Sequence, residues 1–242
     1  MIYLYIFFLI VITIIIFEIV WITYHGLISK KKAKETKIFS RDIPHAMSKI
    51  LIVGDSVILG VGATHLDESL AGKIATVYPE SSITTVGING SKTKDLLSLI
   101  DKPSDVAKWN TIIIFSGGMD IIHFVRSVTY ANNLSNAFIY AKEIAHTVIY
   151  ISPPNIGLAP IFPFPISHLY SLYSRKLRTV AKRITEKYHV THVDLFREQE
   201  NDHFKARPDL YSSDLSHPNS AGYEVWFKHF KEVIEEKKIH YT

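Results

Sequence analysis

Ile50-Leu51-Ile52-Val53-Gly54-Asp55-Ser56-Val57-Ile58-Leu59-Gly60 is the stretch on which the reading of the fold turns. Four successive aliphatic residues, ended by a Gly-Asp-Ser turn, describe a short strand with no polar face, as found inside a parallel sheet covered on both sides. Four later runs repeat the pattern: Ile83-Thr84-Thr85-Val86, Thr111-Ile112-Ile113-Ile114-Phe115, Thr147-Val148-Ile149-Tyr150-Ile151 and Thr191-His192-Val193-Asp194-Leu195. Helical stretches near 66–77, 93–101, 130–145 and 166–188 separate them. A last one near 220–237 carries Tyr223, Trp226, Phe227, Phe230, Val233 and Ile234 on one apolar stripe. Strand and helix in alternation predict an α/β domain with a parallel sheet.

Ligands of such sheets collect at the carboxyl ends of the strands. Those ends read Gly54-Asp55-Ser56, Gly87-Ile88-Asn89-Gly90-Ser91, Ser116-Gly117-Gly118-Met119-Asp120 and Ser152-Pro153-Pro154-Asn155. Gly and Ser there are also ordinary turn chemistry. A fifth block, Asp214-Leu215-Ser216-His217-Pro218-Asn219, precedes the last helix. An Asp and a His three apart on one turn can converge, the carboxylate orienting the imidazole and stabilising its charged form. Ser56 is the candidate nucleophile, since a hydroxyl needs such a base to react.

Taken in order, the blocks Gly54 to Gly60, Ile88-Asn89-Gly90-Ser91, Gly117-Gly118-Met119-Asp120 and Asp214 to Asn219 resemble those of the SGNH (GDSL-type) esterases and lipases, over about 50–237. The resemblance implies a three-layer α/β/α, flavodoxin-like domain that needs no cofactor. It implies Ser56 as nucleophile, Asp214 and His217 as acid and base, and the Ser56 and Gly90 amides as oxyanion donors. One departure stands out. Met119 occupies the place of the family's Asn, and a thioether donates no hydrogen bond, a loss that typically costs about 100- to 1000-fold in turnover. Asn89 is the candidate replacement donor; a turn Asn holding its own backbone is the plain alternative. Asp120 is read as bracing its loop. Asp55, Gly118, Pro154 and Asn155 are expected to border the substrate.

The Pro-rich apolar loop from Pro153 to Ile166 suits an acyl chain or a lipid, although burial against the last helix would explain it equally. The expected activity is a serine esterase cleaving acyl or lipid esters through an acyl-enzyme. Two alternatives stand beside it: a catalytically silent binding domain, favoured by Met119, and a sugar O-acetyl esterase. Other chemistries fit less well. Ile58 breaks the Gly-x-Ser-x-Gly elbow of α/β-hydrolases. Gly60-Val61-Gly62-Ala63 lacks the third glycine of a dinucleotide loop. With no Cys, thiolate metal sites and cysteine nucleophiles are excluded, and the 12 His show no metal-ligand spacing, so no metal is expected.

The remainder of the chain is read from its charge. The sequence carries 27 basic and 23 acidic side chains, a formal charge of +4. Residues 30–49 hold seven of the basic and two of the acidic groups, which leaves 50–242 with 20 of each and no electrostatic footprint for nucleic acid. Ile2 to Tyr24 is an apolar run of 23 residues, about 35 Å as a helix and enough to cross a bilayer core. Residues 1–29 are therefore expected to be a single-pass anchor, 30–48 a basic juxtamembrane linker and 49–242 the hydrolase domain. A cleaved signal peptide is the alternative, lacking here its basic n-region and small-residue cleavage site. The basic cluster puts the domain on the cytoplasmic side, export being the alternative. Expected partners are the membrane and a small-molecule or lipid ester; oligomeric state is not legible.

Overall fold

Alternate residues of the three central strands enter two different apolar layers, which is why those sequences show no polar face. The computed structural model describes residues 1–103 and 109–237; residues 238–242 of the expected 49–242 domain lie outside them. Strands β1 (Ser48–Gly54), β2 (Ser81–Gly87), β3 (Trp109–Phe115), β4 (Ala145–Ser152) and β5 (Thr191–Asp194) form one sheet in the order β2-β1-β3-β4-β5. Every neighbouring pair is parallel, with Gly54 level with Gly87 and Phe115. Leu51, Val53, Ile112 and Ile114 pack towards α3 (Leu96–Asp101), α5 (Ser127–Ile144) and α6 (Ile166–Lys187). Ile50, Ile52, Ile113 and Ile149 pack towards α2 (Leu70–Val77) and α8 (Ser220–Glu236). The result is the expected three-layer α/β/α domain.

The expected helices appear with small changes at their ends. The stretch near 66–77 is a short 3-10 turn followed by α2, because Ser69 interrupts it as an N-cap whose side chain accepts from the Gly72 amide. The stripe on α8 buries Tyr223, Trp226, Phe230 and Ile234 against the sheet. Two helices were not anticipated, α4 (Gly118–Ile122) and α7 (His203–Ala206). Five and four residues long, they are too short to show a helical period.

The amino-terminal helix, α1, runs from Ile2 to Glu35 and is long and apolar enough to span a membrane. It continues past residue 29, because Lys30 to Glu35 are good helix formers and Lys32 and Lys34 face the negative end of the helix dipole. From Ile2 to Phe17 it stands almost free of the domain. Beyond that, Glu18, Trp21, Ile22, His25, Ser29 and Lys32 fall on one face and are buried or half-buried.

Candidate active site

Ser56 leaves the end of β1, an inner strand beside the central β3, through a turn that the chain's glycines make possible. A Cβ on Gly54 would collide with the Phe115 carbonyl, so only glycine lets β1 end this close to β3. Gly62, at φ +97°, carries the turn beneath the Pro218 carbonyl, where any side chain would clash. That contact brings the loop before α8 onto the Ser56 loop. The Tyr223 hydroxyl fastens the two, donating to the Val61 carbonyl at 2.7 Å.

Across this junction the three expected side chains meet. His217 Nε2 lies 2.7 Å from Ser56 Oγ, and His217 Nδ1 lies 2.7 Å from Asp214 Oδ2. Asp214 Oδ1 accepts from the Ser212 hydroxyl at 2.7 Å and from the Ser216 and His217 amides at 3.1 and 3.0 Å. Burial alone would raise the Asp214 pKa, but the hydrogen bonds and charge of His217, with the Ser212 hydroxyl, hold it well below the usual carboxylate range. A carboxylate can only accept, so the Nδ1 proton points at Asp214 and neutral His217 keeps its Nε2 lone pair for the serine proton.

The triad borders a cavity of about 340 Å³, within the ~300–1,000 Å³ of small-molecule sites. Asp55, Asn89, Gly90, Gly118, Met119, Pro154 and Asn155 all line it, so the structure brings every sequence-predicted site residue to one place. Among the described residues, neither the Ser56 nor the Gly90 amide donates in the turn and loop hydrogen bonds around the cavity. Gly90, at φ +79°, owes that orientation to a backbone conformation glycine adopts freely. Met119 sits on the wall and offers no donor. Asn89 is exposed at the rim. Asn155 is only 4% exposed, and its Oδ1 has no partner among the described residues. With its amide flipped, Asn155 would present its NH2 at that unpartnered position.

Two acidic groups serve other ends. Asp120 is fully buried and ties two strand-end loops together, accepting from the Thr93 amide at 2.9 Å and the Thr93 hydroxyl at 2.7 Å. Asp55 accepts from the Val57 amide at 2.9 Å. Its burial pushes the carboxyl up to about 6, against the pull of the Val57 hydrogen bond and of His217. What the sequence reading missed is the contribution of α1: Ile22, Gly26, Ser29 and Lys30 also border the cavity, and Ser29 Oγ lies 3.4 Å from His217 Nδ1. The signal was the docked face beginning at Glu18, hidden in a run where nearly every residue is apolar.

Residues 52–225 match the GDSL-like Lipase/Acylhydrolase family. No curated protein sequence matches this one significantly. Among solved structures, the psychrotrophic esterase EstA from Pseudoalteromonas sp., inhibited by monoethylphosphonate, is similar with a TM-score of 0.61 at 16% identity, covering 80% of this chain and 100% of its own. The lipase Lip_vut3 from a goat rumen metagenome gives 0.61 at 20% identity, covering 77% and 97%. The acetyl-xylooligosaccharide esterase Axe2 from Geobacillus gives 0.56 at 20% identity, covering 78% and 94%. At these identities the likeness is one of fold.

Proposed function

The chain belongs to the GDSL-like lipase/acylhydrolase family and is an ester hydrolase, and from that premise we propose a membrane-anchored serine esterase that cleaves acyl or lipid esters through an acyl-enzyme. The observation that carries the reading is the unbroken line Ser56 Oγ, His217, Asp214, with both links at 2.7 Å, at the wall of an open cavity. Ser56 Oγ attacks the ester carbonyl carbon while its proton passes to His217 Nε2. Asp214 stabilises the imidazolium. The oxyanion rests against the Ser56 and Gly90 amides, and collapse expels the alcohol, which takes the proton from His217. Water, deprotonated by His217, then attacks the acyl carbon and releases the acid and Ser56.

Acyl chains are favoured over acetyl groups by the lining of the cavity, which includes Met119, Ile122, Ile156, Ile161 and Phe162. Anchoring is supported by the exposed apolar length of α1, and a cytoplasmic domain by the lysines that follow it. A fluorophosphonate probe tests the core of the proposal, and organophosphonate inhibition of EstA makes the choice of probe apt. Wild type should be labelled and Ser56→Ala should not. A folded wild-type protein that resists the probe and hydrolyses no ester sinks it.

A further inference from the structure

The docked part of α1 does more than hold the domain near its helix. Glu18 Oε1 accepts from the Ile166 amide at 3.1 Å, and the Trp21 indole N–H donates to the Pro160 carbonyl at 3.4 Å. Eight residues on from Trp21, Ser29 reaches the ring of His217. Between these two attachments α1 bridges from the loop after β4 to the triad, with His25 buried beneath it. Ile22 and Gly26 lie on the cavity side of that bridge, facing a domain wall that includes Ile161 and Phe162.

Gly26 shows how much room is left. A Cβ built there meets nothing within 4 Å, although the residue is part-buried and borders the cavity, so the helix passes over open space at this point. In an otherwise bulky run, the one residue without a side chain stands over the pocket. Ile22 supplies the apolar surface beside it and packs against the core layer that includes Ile161 and Phe162.

The level of this wall follows from helix length. Twenty residues separate Ile2 from Ile22, about 30 Å of helix, which is about the thickness of a bilayer's hydrocarbon core. With α1 as the anchor proposed above, the wall at Ile22 to Ser29 would lie near the end of the span that faces the domain. The loop fastened at the same level, between Pro160 and Ile166, presents Phe164 with 82% of its surface exposed. Resting on the esterase reading above, we infer that Ile22 and Gly26 of α1 form the acyl-chain wall of the substrate pocket. The helix that anchors the protein then also sets which chain lengths the enzyme accepts, and it receives them from the bilayer surface.

The test uses the full-length protein in mixed micelles, with rates normalised to the sites a fluorophosphonate labels. The readouts are the ratio of kcat/KM for p-nitrophenyl octanoate to that for the acetate, and the chain-length optimum over the p-nitrophenyl acetate-to-palmitate series. Gly26→Trp fills the space under the helix and should lower this ratio at least about tenfold, since even one methylene in an apolar pocket is worth roughly 10- to 200-fold. Ile22→Ala enlarges the pocket and should move the optimum to longer chains, which keeps the test decisive if the first variant folds poorly. Leu27→Trp, on the exposed face of the same turn, should leave the ratio at its wild-type value. An unchanged ratio in Gly26→Trp with an unchanged optimum in Ile22→Ala overturns the inference while leaving the esterase intact. A wild type that neither labels nor hydrolyses any ester removes the esterase reading first, and this inference with it.

Discussion

Among the described residues two Ser-His-Asp clusters stand out, and they are wired in opposite senses. Ser56, His217 and Asp214 form the first. In the second, at the ends of β4 and β5, His192 Nε2 lies 2.9 Å from Ser152 Oγ, and Ser152 Oγ lies 3.4 Å from Asp194 Oδ1. Residue types and serine–histidine distances are nearly the same, yet the polarity is reversed. Asp214 stands behind the imidazole, so the serine proton points at His217. Asp194 stands beside the serine, which turns the hydroxyl proton towards the carboxylate and makes His192 the donor to Ser152. The other carboxylate oxygen of Asp194 is taken by Arg178 at 2.8 Å and Lys182 at 3.3 Å. Burial first of all pushes the His192 pKa down to about 4, and its ring stacks on Tyr150. A base needs its carboxylate on the far side and a cavity in front; composition supplies neither.

Serine replacement separates the two clusters most sharply. Ser56→Ala should lose ester hydrolysis by on the order of 10⁵-fold or more in kcat, whereas Ser152→Ala keeps wild-type labelling and turnover. Equal losses in both would mean that the first cluster has no special standing. The carboxylates come next. Asp214→Asn removes the acceptor that fixes the His217 tautomer and should cost on the order of 10⁴-fold in kcat, while Asp194→Asn should register as lost stability with its kcat retained.

A smaller effect concerns the proposed oxyanion hole, to which Met119 brings no donor. If Asn155 supplies one, Asn155→Ala lowers kcat by about 100-fold with little change in KM, and Asn89→Ala, at the exposed rim, changes kcat only slightly. Adding the missing donor as Met119→Asn in the Asn155→Ala background should restore part of the loss. A large loss in Asn89→Ala alone would return the role to the residue that the sequence favoured.

Most of this site was legible because its parts lie at strand ends or, for Asp214 to His217, in the loop before the last helix. Gly54-Asp55-Ser56 and Asp214 to His217 are compact blocks, and a parallel sheet brings strand ends together whatever their separation along the chain. Asn155 could be placed at the edge but not ranked, because whether a side-chain amide is spent on the fold is a fact of packing. The α1 wall was hidden for a different reason. A period of 3.6 emerges from contrast between apolar and polar residues, and from Ile2 to Tyr24 there is hardly any. The polar members of its docked face, Glu18, His25, Ser29 and Lys32, were the marks it left.

The second cluster makes its own prediction, in stability against pH. His192 has a folded pKa of about 4 against 6.5 when free. A histidine whose pKa is depressed by folding contributes its stability above the unfolded value, and that contribution is lost as pH falls from 6.5 towards 4. The interval corresponds to about 3 kcal/mol at ~1.36 kcal/mol per pKa unit. His192→Gln keeps a donor for Ser152 but no longer titrates. Urea unfolding of detergent-solubilised wild type and variant at pH 7.5 and 4.5 should therefore show the wild type losing up to about 3 kcal/mol more between the two, with ester turnover at pH 7.5 the same in both. Identical acid sensitivity would mean that His192 is hydrated and free to take a proton. The contrast between the two imidazoles would then have to rest on the position of the carboxylate alone.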